Sequence, residues 1–222
     1  MMGKQGRTAA LRRDVAWLHR EVCARGLNVG SAGNVSARIG EGMIITPTGV
    51  RGDTVDPDAL VRMDFAGAYR GRIAPSSEWQ MHAEIYRADP RAMVIVHTHA
   101  DCCTALAALG RHIPAFHYDV AAFGGDDVRL APYALFGSAE LAGHAVAALE
   151  GRTACLLANH GMICHGRDAA SALLTAIRLE TMARQYLLAL AAGEPIILGA
   201  DAMAAVSERY KTYGQQPERG TT

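Results

Sequence analysis

The stretch Ala92-Met93-Val94-Ile95-Val96-His97-Thr98-His99 decides how this chain is read. It is apolar, rich in β-branched residues and too short for a helix, so it reads as a buried strand. Side chains two apart on a strand point to the same face, which sets His97 and His99 side by side at its end. Two imidazoles so placed make half of the first shell of a divalent metal.

Working outward, helical spacing of Leu11, Val15, Leu18 and Val22 predicts a helix over 7–26, closed by Gly26. A Gly-rich turn at 30–34 leads into strands at 35–39 and 43–45, and 51–75 carries turns and short strands at best. A helix is expected from Ser76 to about Tyr86, with Ser76 or Ser77 as its N-cap. Beyond the histidine strand come a helix at 101–110, short strands near 115–117 and 128–130, and a helix at 138–150. A buried strand at 155–158 runs into Asn159-His160-Gly161, followed by a long helix over 168–192 and a last one over 200–212. The polar tail from Gly214 is expected to be loose. Mixed strands and helices with hairpin-like returns, and no repeat or linker, point to one layered α/β domain spanning 1–222.

Acidic and basic residues balance at 22 each, so no global field recruits nucleic acid or an anionic membrane. No run approaches the roughly 20 apolar residues of a membrane span, and the N-terminus lacks a signal-peptide core, which makes the cytoplasm the expected location. The five cysteines (Cys23, Cys102, Cys103, Cys155, Cys164) show no disulfide framework and read as small core residues. The only lysines, Lys4 and Lys211, lie near the termini, outside any apolar element that would bury them. Schiff-base chemistry needs a desolvated lysine, so covalent amine catalysis is not expected.

The histidine pair needs further ligands. His160 ends a second apolar strand, expected to neighbour the first so that both converge on one point, and Glu78 follows a Ser-Ser pair at a helix start; three imidazoles and a carboxylate would complete a zinc-like site. The spacing is not that of His-Glu-x-x-His peptidases. Taken singly, each histidine reads as a satisfied core or capping residue, whereas the His-x-His pair fits either reading. His82, four residues past Glu78, reads as a packing or hydrogen-bonding residue. The Gly30–Asn34 turn, Thr48 with Gly49, and Ser76 with Ser77 offer hydroxyls and backbone N–H groups that suit a phosphate monoester. Tyr118 is open to either a structural or a proton-donating role.

Several stretches together, Gly26–Ser36, Ile45–Gly49, Pro75–Trp79, Val96–His99, Ile113–Tyr118, Ala131–Gly137, Asn159–Gly161 and Lys211–Gly214, resemble the class II aldolase/adducin family across almost the whole chain. The resemblance implies a three-layer α/β/α domain around a largely antiparallel mixed sheet. It implies one Zn2+ per subunit on His97, His99 and His160, with Glu78 touching the resting metal and then acting as base. By the same resemblance Asn34, Thr48, Gly49, Ser76 and Ser77 hold the substrate phosphate, and Tyr118 protonates the aldehyde-derived oxygen. Phe136, Tyr213 and the tail would close over the aldehyde end. The implied activity is metal-dependent cleavage of a ketose 1-phosphate, fuculose 1-phosphate or a deoxy or methylthio pentulose 1-phosphate, to dihydroxyacetone phosphate and an aldehyde. A homotetramer with active sites between subunits is implied as well.

Relatives in the family also epimerise, dehydrate or decarboxylate sugar phosphates, a 3-oxo-tetronate 4-phosphate decarboxylase among them, so the fold does not settle the reaction. The non-catalytic adducin branch predicts lost ligands and a long tail, and this chain has neither. Asp119, the segment 123–127 and Asn159 depart from the aldolase pattern, which leaves the aldehyde partner open.

Overall fold

The histidine strand runs Val94–Thr98 (β4) and is the middle strand of a seven-stranded sheet in the computed structural model, which describes residues 4–212. On one side lie Asn34–Arg38 (β1), Gly42–Ile45 (β2) and the edge strand Val61–Asp64 (β3). On the other lie Gly161–Gly166 (β7), Ala154–Leu157 (β6) and the two-residue edge Leu130–Ala131 (β5). Every pairing is antiparallel except β5 with β6, so the sheet is mixed and largely antiparallel, as expected.

Alternation on the strands feeds two cores. Val94 and Val96 of β4, with Met162 and Cys164 of β7, pack under Lys4–Ala24 (α1), Asp101–Ala108 (α3), Ala169–Ala192 (α5) and Ala200–Tyr210 (α6). Ile95 and Ile163 face the opposite way, under Trp79–Ala88 (α2) and Ala139–Ala148 (α4). The result is the three-layer α/β/α arrangement. The α5 N-terminus carries a capping box, Asp168 accepting from the Ser171 N–H at 2.7 Å. Glu180 of α5 accepts from the Cys102 and Cys103 N–H groups at 2.9 and 3.0 Å, closing the N-terminus of α3. Cys103, Cys155 and Cys164 are core residues as expected, whereas Cys23 and Cys102 are only half-buried.

Four local expectations need correction. The 155–158 and 92–99 strands are not neighbours, because β7 lies between them. The helix does not begin at Ser76. Pro75 bridges Pro47 and the Ser76 N–H donates to Thr46 O at 3.0 Å, which keeps these two residues out of the helix; a turn at 77–78 then leads into α2. The 115–117 segment is not a strand; only Ile113 and Val128 pair nearby. The strand expected at 128–130 is shifted to β5. Tyr213 and the tail from Gly214 lie outside the described residues.

Candidate active site

His97 and His99 come from the end of β4, and His160 from the tight turn joining β6 to β7. One ring nitrogen of each lies within 4.8 Å of the others. The rings stand nearly perpendicular to one another, with centroids 4.8–5.1 Å apart and interplanar angles of 73–74°. Two local features put His160 there although its strand does not touch β4. Asn159 takes a left-handed backbone (φ 53), which asparagine tolerates better than most residues. Gly161 has its backbone against β4, where a Cβ would sit 2.4 Å from Thr98 O.

His97 is fully buried, and its Nδ1 donates to Met162 O at 2.8 Å. That bond fixes the ring so that Nε2 faces the cluster, the arrangement metal-ligating histidines use. Glu78 Oε2 lies 3.0 Å from His97 Nε2, and Oε1 lies 3.3 Å from His160 Nε2. Neither His97 Nε2 nor Glu78 Oε1 has a well-aligned hydrogen bond. Lone pairs held this close in a buried site repel unless a proton or a cation stands between them. Burial alone would raise the Glu78 carboxyl, but His97, His160 and the Asn34 amide outweigh it and hold its pKa far below the usual range. Burial likewise opposes charge on His97, and Glu78 overcomes it, so the His97 pKa is raised. The His160 pKa falls to about 4 by burial and by its neighbour His97, so this ring presents a neutral lone pair. The three imidazoles could therefore hold a divalent ion, with Glu78 against two of them.

Part of the cluster reaches a cleft of about 470 Å³, while His97 stays fully buried. Asn34, Thr48, Gly49, Ser76, Ser77 and Phe136, all expected site residues, line it together with Glu78, His99 and His160. The Gly30–Asn34 turn is pressed against β4: a Cβ on Gly33 would sit 2.6 Å from His97 O. Not all the expected donors are free. The Ser76 and Thr48 N–H groups are taken by Thr46 O and Ala74 O at 3.0 and 3.1 Å, leaving the hydroxyls. The Asn34 carboxamide is engaged by Glu78 and His82. Tyr118 is 54% exposed and is not part of this chain's cleft. A larger hollow of about 820 Å³ along β3, with Arg12, Arg62, Asp58 and Asp64 on its walls, contains none of these residues.

Two cleft residues, Tyr133 and Asn159, and the buried Asn28 of the Gly-rich turn had no role in the sequence reading. Tyr133 sits at the mouth, 61% exposed; it falls within a family-like stretch, but nothing in its spacing marks it. Asn159 was noted only as a departure from the aldolase pattern, although an Asn-His-Gly turn after a strand is a signal for a left-handed residue. Asn28 ties the Gly-rich turn together, its amide donating to Ala32 O and its oxygen accepting from the His99 N–H at 3.5 Å.

Comparison with known proteins agrees with this geometry. Residues 13–187 match the family described as Class II Aldolase and Adducin N-terminal domain. The chain is 48% identical over 213 residues to a 5-methylthioribulose-1-phosphate/5-deoxyribulose-1-phosphate aldolase of Rhodospirillum rubrum, covering 96% of each. It is 43% identical over 199 residues to the L-fuculose phosphate aldolase of Escherichia coli K12, covering 89% of this chain and 93% of that one. Among solved structures, an L-fuculose 1-phosphate aldolase superposes with a TM-score of 0.87 at 34% identity, covering 95% of this chain and 98% of the other. The protein belongs to the class II aldolase and adducin N-terminal domain family.

Proposed function

We propose that the protein is a zinc-dependent aldolase that cleaves a ketose 1-phosphate to dihydroxyacetone phosphate and an aldehyde. The observation that carries this reading is the convergence of His97, His99, His160 and Glu78 beside a cleft also lined by Thr48, Ser76 and Ser77. When bound, the metal supplies a Lewis acid for the negative charge that builds on the ketone oxygen. The hydroxyls and backbone of the cradle hold the phosphate, which fixes the reacting carbons and contributes binding energy away from them. In the synthetic direction the Glu78 carboxylate accepts the C3 proton of dihydroxyacetone phosphate. The C3 electron pair then forms the bond to the aldehyde carbon, and the Tyr118 hydroxyl gives its proton to the aldehyde oxygen. Cleavage runs the same transfers backwards.

The far end of the sugar would meet Tyr133, Ala134 and Phe136, an apolar mouth that suits a 5-deoxy or 5-methylthio pentulose 1-phosphate. The exposure of Tyr118, outside its own chain's cleft, supports a cyclic tetramer in which it serves a neighbouring subunit. No helix among the described residues is long and apolar enough to cross a membrane, which fits a cytoplasmic enzyme.

The test is a coupled assay across ketose 1-phosphates and 3-oxo acid phosphates. Triose phosphate release from a deoxy or methylthio pentulose 1-phosphate is the expected result. Carbon dioxide release from a 3-oxo acid phosphate, with no triose phosphate from any ketose, would reverse the assignment. Glu78→Gln should retain the metal yet lose exchange of the C3 proton of dihydroxyacetone phosphate.

A further inference from the structure

Glu78, His82 and Tyr86 recur every four residues, so they form one stripe along α2 from its cap inward. Facing them on β1 are Asn34 and Ser36, two apart and hence on one face, paired in the ladder with His97 and Ile95 of β4. A continuous line of buried hydrogen bonds zigzags between the two rows. Tyr86 Oη lies 2.8 Å from Ser36 Oγ, and Ser36 Oγ lies 2.7 Å from His82 Nδ1. His82 Nε2 lies 2.5 Å from Asn34 Oδ1, and Asn34 Nδ2 lies 3.0 Å from Glu78 Oε2. All five side chains are buried, and the line ends on the carboxylate beside the histidine cluster.

The direction of every proton in this line follows from its end. Asn34 turns its NH2 toward Glu78 and its oxygen toward His82, and a carboxamide oxygen can only accept. His82 must then carry its proton on Nε2. Its full burial keeps the ring neutral, with a pKa of about 3, so Nδ1 accepts from the Ser36 hydroxyl. Ser36 has spent its one hydrogen and accepts from Tyr86. Each donor thus points at Glu78.

We propose that His82 is a positioning residue for the reaction: by holding Asn34 Oδ1 it locks the carboxamide so that the NH2 group fixes Glu78 beside the histidine cluster. Asn34 also lines the cleft, and among the described residues only one of its two amide hydrogens is engaged. The second is available to a phosphate oxygen in the cradle, so a single locked amide ties phosphate to base. This deepens the reading given under Proposed function and rests on Glu78 acting there. An ordinary buried polar network would stabilise α2 against β1 without any of these consequences for Glu78.

The experiment compares His82→Leu, His82→Gln and His82→Asn, because Gln places an amide nitrogen near the Nε2 position while Asn is too short to reach Asn34. Three readouts are taken on folded protein: the His82 tautomer by nitrogen NMR in the metal-free parent, zinc affinity by chelator competition, and C3 proton exchange of dihydroxyacetone phosphate. The expected results are an Nε2–H tautomer in the parent and zinc affinity and exchange both lowered about 10- to 100-fold in His82→Leu and His82→Asn. His82→Gln should recover most of both. An Nδ1–H tautomer, or Gln and Asn variants that behave alike, would overturn the proposal. If His82→Leu does not fold, the Gln/Asn pair decides. If the parent shows no exchange at all, the aldolase reading fails on its own, and the tautomer and zinc affinities still judge the role of His82.

Discussion

His19, on α1, is a buried histidine that the cleft does not use, and neither ring nitrogen has a hydrogen-bond partner among the described residues. Burial lowers its pKa from 6.5 to about 4. The unfolded chain therefore binds this proton at a higher pH than the folded one, and folding stability falls as pH drops from 6.5 toward 4. At 1.36 kcal/mol per pH unit the loss is at most about 3 kcal/mol from this group. His19→Leu is expected to be at least as stable at neutral pH and to lack that part of the acid sensitivity, read by urea unfolding at pH 7, 6, 5 and 4. An identical pH dependence in both proteins would refute it. The cleft histidines act differently at the same scale. His97→Ala and His99→Ala should each lose bound metal on dialysis while the fold survives, because each removes one of three nitrogens from a preformed cluster. Metal analysis alongside circular dichroism separates this from unfolding.

At the scale of elements, the β6–β7 turn is where the site is most vulnerable. Gly161→Ala places a methyl 2.4 Å from Thr98 O, a backbone atom that can move only by disturbing β4. The expected cost is about 1–3 kcal/mol in denaturant unfolding, accompanied by weaker metal retention, since β4 carries His97 and runs directly into His99. The same turn shows how far the sequence could be read. The β4 run was legible because its length, branching and terminal histidines all agreed. The α1 and α5 helices were legible because their apolar spacing is long and regular. β7 was not, because Met162-Ile163-Cys164 is short and follows directly on Asn-His-Gly, so the segment reads as the end of β6 rather than the start of a return strand. Two serines looked like a helix cap at Ser76, but a long-range bond to Thr46 outweighs that local preference. The grouping of His97, His99 and His160 was legible from the strand ends and the family-like stretches. The tie from Asn34 to Glu78 was invisible because it depends on β1 register, which no local pattern encodes.

For the whole molecule, the position of Tyr118 leads to a test of assembly. If each cleft uses its own Glu78 and a neighbour's Tyr118, chains carrying Glu78→Gln and chains carrying Tyr118→Phe complement one another when co-assembled. Random mixing should complete about a quarter of the sites, so activity reappears from two inactive parents. No recovery in mixed assemblies would place Tyr118 at its own chain's cleft or remove it from the reaction. The sulfur atoms spread through α3, β6 and β7 carry a more practical consequence. Burial raises the pKa of Cys103, Cys155 and Cys164, and burial together with Glu180 pushes Cys102 up to about 11. Only thiolates react readily with electrophiles and oxidants. Iodoacetamide should therefore leave these four positions nearly unmodified until urea opens the fold.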